Sequence, residues 1–302
     1  MRTTRTAGIA AIAFLIAACG SGGGATTAPT QGGPAPTTGG SETAAPTTGG
    51  ITPPTSLISP GKLIDCVDIE YPPMEYFPSA DVTDPSQAIG FDVDAARAVA
   101  DLLGLELEIR NTAFDALIPD LQAGRCDIVW TALYVNETRL EVADAVPYMA
   151  TGQVVMVKAG NPPGITGPTD LCGKAVSIQA GGLVEERINQ VSDECEAAGN
   201  PAINIQGYET VAEEFQQIVL GRVDAVWETD TGVSNWMLEN PGQYEVAYAL
   251  PRDDNYGVYY GKGKTDLGEA LQAAIDALNA DGTLPAIAEK YEMDPAILEI
   301  VE

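Results

Sequence analysis

The sequence predicts an α/β protein built as two lobes, each a mainly parallel sheet flanked by helices, with a cleft between them. Three observations carry that expectation. About 245 residues follow a low-complexity amino-terminal stretch, enough chain for one large domain or two lobes. Within them, short apolar runs of strand length alternate with stretches of helical period. The resulting strand–helix–strand–helix–strand order is spelled out once and then begins again, and such an order implies parallel strands joined by right-handed crossovers.

Leu63-Ile64-Asp65-Cys66-Val67-Asp68 reads as the first strand. Val93, Ala96, Val99, Ala100 and Leu103 recur at helical spacing, and Gly104 stops that helix. Residues 105–109 form a second strand, 114–123 a short helix ended by Gly124, and 127–131 a third strand. In the second unit, 174–178 is a strand and Gly181-Gly182 opens a helix running to about Cys195. Residues 203–206 are a strand, 211–220 a helix and 224–227 a strand. A last helix carries Leu267, Leu271, Ala274, Ile275 and Leu278 on one face. Residues 57–151 with 253–302 are assigned to the first lobe and 152–252 to the second, the chain crossing near 148–153 and 250–255. A ligand would lie between the carboxyl ends of the two sets of strands.

The amino-terminal stretch points to export. Arg2 and Arg5 precede an apolar run over residues 7–15, and Ile16-Ala17-Ala18-Cys19 follows at once. Residues 1–18 are therefore expected to be a signal peptide, since a spanning helix needs roughly 20 consecutive apolar residues. The small residues ahead of Cys19 resemble the bacterial lipobox, in which the cysteine becomes the lipid-bearing first residue of the mature chain. Simple secretion with an incidental cysteine is the alternative. Residues 19–56 are almost entirely Gly, Ala, Ser, Thr and Pro after Cys19. Such a segment buries too little apolar surface to order itself, and as a flexible tether of about 36 residues it spans on the order of 30–35 Å. The expected location is the outer face of the cell membrane, lipid-anchored.

The formal charge is −28, and −30 once Arg2 and Arg5 leave with the signal. Such a surface is a poor partner for nucleic acid and reads as a solubilising charge. There is no histidine, which removes Ser-His-Asp and Cys-His catalysis and argues against the common zinc sites. No metal or cofactor is expected. Four cysteines remain after Cys19. In an oxidising exterior an even number favours pairing. Cys172 with Cys195, flanking one strand–helix unit, and Cys66 with Cys126 are the expected pairs; buried free thiols are the alternative, more so for the second pair.

Several motifs occur in a telling order. Tyr71-Pro72-Pro73-Met74-Glu75-Tyr76 precedes Gly90-Phe91-Asp92-Val93-Asp94, and Phe114-Asp115-Ala116-Leu117-Ile118-Pro119 follows. Glu137-Thr138-Arg139, Pro147-Tyr148, Asp281-Gly282-Thr283 and Lys290-Tyr291 complete the set. Over roughly residues 57–293 the chain resembles the amino-acid-binding family 3 of bacterial extracellular solute-binding proteins, which serve ABC importers. The resemblance implies a type II periplasmic-binding-protein-like fold whose lobes close on a small ligand about a two-segment hinge. It also implies a monomer that hands an amino acid, or a related organic acid, to an ABC transporter permease.

The resemblance assigns candidate ligand residues. Arg139 matches the arginine that grips the ligand α-carboxylate, a role for which only a guanidinium offers a planar fork; a solvated arginine paired with Glu137 or Glu141 is the alternative. Tyr71 and Phe114 match aromatics that sandwich the ligand's carbon skeleton, although isolated aromatics are usually core. Asp68, at the end of the first strand, matches a position that touches the ligand's polar end, or caps a turn. Asp230 is a candidate for the α-ammonium, but the family spacing of five residues beyond Asp224 falls on Thr229. Either Asp230 serves after a local insertion or it caps the following helix. One of Trp227 and Glu228 should face the cleft, since strand side chains alternate. Tyr134 and Leu183 stand where the family often has hydroxyl residues: Ala132-Leu133-Tyr134 replaces Gly-Met-Thr, and Gly182-Leu183 replaces a Gly-Thr-Thr helix start. The helix start can still hold an anion through its N–H groups.

Two other functions fit the same fold. Prephenate-dehydratase-like enzymes share it, and Asp68, Glu75 and Glu228 would be the available acids or bases. A sensor that reports its ligand to a membrane kinase is the other. A neighbouring permease and ATPase would favour uptake over sensing.

Overall fold

Every residue of β1 (Lys62–Val67) after Lys62 is buried, because the strand runs through the middle of a sheet covered on both faces. A computed structural model describes residues 50–302. The expected signal peptide, Cys19 and most of the expected tether lie outside them. Thr55 and Ser56, assigned to the tether by composition, are docked: their N–H groups donate to Asp266 at 2.7 and 2.9 Å. Among the described residues no helix is long and apolar enough to cross a membrane.

From β1 the chain enters α1 (Phe91–Leu103), whose apolar stripe is buried and which ends at Gly104 in the left-handed conformation. The entry to α1 demands a glycine. Gly90 has φ 132°, and a Cβ there would lie 2.1 Å from the Met74 carbonyl oxygen. That close approach fastens the Tyr71–Tyr76 stretch to the start of α1, with Phe91 N–H donating to Pro73 and Asp92 N–H to Met74. β2 (Glu106–Asn111), α2 (Leu117–Gln122), β3 (Ile128–Val129), α3 (Glu137–Leu140) and β4 (Ala143–Thr151) follow. The single helix expected over 114–123 is instead a 3-10 turn, Phe114–Ala116, leading into α2. Pro119 explains the break: it has no N–H to continue a helix begun at Phe114 and is tolerated in the first turn of α2.

The chain crosses at Gly152 into β5 (Gln153–Lys158), then forms β6 (Ala175–Gln179), α4 (Leu183–Ala197), β7 (Asn204–Tyr208), α5 (Val211–Val219), β8 (Ala225–Thr229), α6 (Asp230–Glu239) and β9 (Tyr244–Ala249). It returns through residues 250–253 into β10 (Asp254–Gly261), α7 (Thr265–Ala280) and α8 (Thr283–Lys290).

Two five-stranded sheets result, ordered β2-β1-β3-β10-β4 and β7-β6-β8-β5-β9. In each, the strands expected from the βαβαβ pattern are parallel, and one strand arriving from the other lobe, β10 or β5, runs antiparallel between its neighbours. The two crossing segments touch: a Cβ on Gly152 would sit 3.3 Å from Arg252 Cα, and Leu250 N–H donates to Gln153 at 2.8 Å. Both expected disulfides are formed, one per lobe, Cys66–Cys126 and Cys172–Cys195.

Candidate functional site

Parallel strands deliver their carboxyl ends to one edge of each sheet, and the two edges face each other across a narrow cavity. From the first lobe come Asp68 after β1, Tyr71 and Glu75 from the next turn, Phe114, and Thr131, Ala132 and Tyr134 after β3. From the second come Gln179 at the end of β6, Gly182, Leu183 and Val184 at the start of α4, and Glu228 and Thr229 at the end of β8. The lobes meet over it. The Tyr71 hydroxyl reaches Glu228 Oε1 at 3.4 Å, Thr231 at 3.3 Å, and the Thr229 hydroxyl. Phe114 lies against Gly182, where a Cβ would be 3.7 Å from the ring.

The lining is acidic. Asp68, Glu75 and Glu228 are all buried, and no lysine or arginine lines the cavity among the described residues. Burial and the nearby Glu70 push the Asp68 carboxyl up to about 8. Glu75 accepts from the Thr131 hydroxyl at 2.8 Å through Oε1, and its Oε2 has no partner among the described residues. Its carboxyl faces that of Asp92, and burial with that neighbour pushes Glu75 well above the usual carboxylate range. Asp92 accepts from the Tyr148 hydroxyl at 2.7 Å and from Ala132 N–H at 2.6 Å; burial still raises it to about 7. Glu228 accepts from Thr229 N–H at 2.7 Å, which moderates the rise that burial imposes.

The expected residues divide by place. Asp68, Tyr71, Phe114, Tyr134 and Leu183 line the cavity. Tyr134 fills space where a small hydroxyl residue was the family expectation, and its hydroxyl donates to the Gly152 carbonyl in the crossing at 3.3 Å. Arg139 stands behind Phe114, its guanidinium carbon 5.9 Å from the ring centre, and donates to the Tyr134 carbonyl at 2.9 Å. Burial lowers its pKa from the ordinary arginine value.

Trp227 and Asp230 are not brought to the cavity. Strand alternation turns Trp227 into the second lobe's core, where its Nε1–H donates to Gln153 at 2.9 Å, and turns Glu228 to the cleft. Asp230 is the first residue of α6, and the start of the helix swings its carboxylate into a separate recess with Pro73, Arg252 and Tyr291. There it accepts from Arg252 Nε at 2.8 Å and from the Thr151 hydroxyl at 3.1 Å. Thr229, five residues beyond Asp224, holds the cleft position. Thr131, Gln179 and Val184 carried no signal of their own in the sequence; the ends of β3 and β6 were the only pointers to the first two.

The comparisons with known proteins agree with this geometry. Residues 63–294 match the profile of the bacterial extracellular solute-binding proteins, family 3. This chain belongs to that family. Its members are extracellular or periplasmic solute-binding proteins. Among curated relatives, the arginine-binding protein ArgT of Corynebacterium glutamicum is 28% identical over 97% of this chain and 92% of its own length. The L-cystine-binding protein TcyJ of Escherichia coli is 27% identical over 76% of this chain and 82% of its own. Among solved structures, an ancestral arginine-binding protein bound to arginine superposes with a TM-score of 0.69 at 30% identity, covering 76% of this chain and 98% of that one. An ancestral amino-acid-binding protein described as a precursor of cyclohexadienyl dehydratase gives 0.66 at 27% identity, covering 76% and 95%.

Proposed function

We propose that this chain is the capture subunit of an ABC importer for an amino acid with a cationic side chain. The observation that carries it is the charge of the cavity: Asp68, Glu75 and Glu228 converge on it with no basic residue among the described lining. Buried carboxyls without a counter-ion are costly, and a cationic ligand supplies the missing partner. Relatives named as arginine-binding proteins support the reading. Asp68 and Glu75 in the first lobe and Glu228 in the second receive the ligand's cationic groups. Tyr71, Phe114, Tyr134 and Leu183 pack on its carbon chain. Arg139, one layer behind Phe114, has guanidinium donors beyond the one on Tyr134 to offer the α-carboxylate once the ligand seats.

The two lobes, residues 57–151 with 253–302 and 152–252, close about the paired crossings. The protein works as a monomer held at the membrane face by lipidated Cys19, and presents the closed form to its permease. It binds rather than transforms its ligand. The dehydratase reading has one observation in its favour, a Glu75 carboxyl at the cleft that burial and Asp92 push well above the usual carboxylate range.

Calorimetry tests the assignment. L-Arginine or L-lysine should bind with a Kd of about 1 μM or tighter, L-glutamine weakly and L-glutamate not at all. L-Glutamine binding as tightly as L-arginine would remove the charge argument. Turnover of prephenate would replace binding by catalysis. A Cys19→Ala chain that still partitions into detergent like the wild type would refute the anchor.

A further inference from the structure

Glu214 lies outside the cavity, on the face of α5 turned into the second lobe, and it is wholly buried. Neither of its carboxyl oxygens has a hydrogen-bond donor among the described residues. What it does have beside it is Glu228, on β8, one of the strands against which α5 packs. Two carboxylates cannot share such a place: each would be desolvated beside a like charge. A single proton between them resolves both problems, because a neutral acid becomes the donor that the other lacks.

The surroundings decide which of the two keeps it. Glu228 already accepts from Thr229 N–H at 2.7 Å and is approached by the Tyr71 hydroxyl at 3.4 Å, and both contacts favour its charged form. Glu214 has neither kind of support. Glu228 is the charged group that acts on it among the described residues, and the Ser177 hydroxyl of β6 donates to its backbone carbonyl rather than to its carboxyl, at 3.2 Å.

We propose that Glu214 is a positioning residue that holds a proton and donates it as a hydrogen bond to Glu228, so that Glu228 meets the ligand's cationic group as one oriented carboxylate. Asp230, the acid expected from the sequence for that role, is committed to Arg252 instead. The part of this inference that concerns affinity rests on the cationic-ligand reading; the part that concerns the proton does not.

The test compares full-length wild type with Glu214→Gln, whose amide still donates, and Glu214→Leu, which does not. Without ligand at neutral pH, the infrared difference between wild type and Glu214→Gln should show a carboxylic-acid carbonyl band lost from the variant. In thermal melts the Glu214→Gln chain should gain on wild type as pH rises from about 4.5 to about 8, since only the wild type must take up a proton on folding. Against L-arginine, Glu214→Gln should stay within about threefold of wild type and Glu214→Leu should weaken at least about tenfold. An unchanged acid band together with parallel melting curves overturns the proposal. A wild type that ignores L-arginine sinks the ligand reading while the spectra and melts still decide where the proton is.

Discussion

In the first lobe Glu75 reaches the cavity beside Asp68, and the carboxyl behind it, Asp92, collects the donors: the Tyr148 hydroxyl and Ala132 N–H. In the second lobe the order is reversed. Glu228 at the cavity has the backbone donor, and Glu214 behind it has none. Each lobe therefore buries a carboxyl pair, but the member richer in donors lies behind the cavity in one and at the cavity in the other. Burial alone does not set the charge of a cleft residue; the placement of nearby N–H and O–H groups does.

Arg139 gives the largest expected effect and tests whether the first lobe also holds the ligand's α-carboxylate. Truncating one member of a desolvated charge pair costs about 2–5 kcal/mol, roughly 30- to 5,000-fold in affinity. Arg139→Ala should lose that much L-arginine binding, and Arg139→Lys most of it, because a point charge cannot replace the fork. Thermal melts should show both variants folded. Affinity within about threefold of wild type would leave the guanidinium as a local brace for the Tyr134 carbonyl.

Asp92→Asn breaks the comparison from the other side. Asp92 accepts from the Tyr148 hydroxyl and Ala132 N–H with both carboxylate oxygens, and an asparagine would put an NH2 where one of them accepts. The variant should lose about 2–3 kcal/mol of stability in denaturant titration, whereas Glu214→Gln should be neutral or better at pH 7. Equal losses from both would mean that the two pairs hold their protons alike.

The pH dependence of the unliganded protein is the next step down in size. Asp68 is raised to about 8, Asp92 to about 7 and Glu70 to about 7, so the folded state binds protons that the unfolded chain has released above about pH 4–5. Stability then falls as pH rises through that window. Carboxylates shifted downward, such as Asp266 and Asp170, act only at lower pH. Melting temperature should decline from about pH 5 to about pH 8.5, and saturating L-arginine should flatten the decline by replacing protons with a cation. A melting temperature that climbs across this range would contradict the charge states assigned to the first lobe.

The parallel strands, α1, α4, α5 and α7 were legible because their apolar spacing is local. The crossing strands were not. Of Ala143–Thr151 and Asp254–Gly261 only the ends, within 148–153 and 250–255, were read, and as hinge, since the two strands pair with each other across more than a hundred residues of chain. Trp227 and Glu228 were readable as a pair with one facing in, and the register fixed which. Glu214 left no trace: a glutamate on a helix reads as surface, and nothing in the sequence announces that its neighbour is Glu228. Asp230 was misplaced by one residue, and at the first turn of a helix one residue changes direction by about 100°.

The smallest effect concerns where each lobe stores backbone strain. At the cavity the second lobe makes its sharp turn with Gly181, at φ +86°, while the first lobe uses Ala132 at φ 43°. An alanine in the left-handed region costs about 1–2 kcal/mol, and here its N–H is held by Asp92 at 2.6 Å. Ala132→Gly keeps that hydrogen bond and removes the Cβ conflict. Against the gain stands the greater freedom of glycine in the unfolded chain, about 0.4–1 kcal/mol. The net should be a stabilisation of roughly 0.5–1 kcal/mol, a rise of about 1–4 °C for a chain of this size. Gly90→Ala is the control with the opposite sign, because its new Cβ would meet the Met74 carbonyl. If Ala132→Gly lowers the melting temperature instead, the Ala132 methyl group contributes packing at the cavity wall that outweighs its strain, and the first lobe has traded backbone comfort for a tighter site.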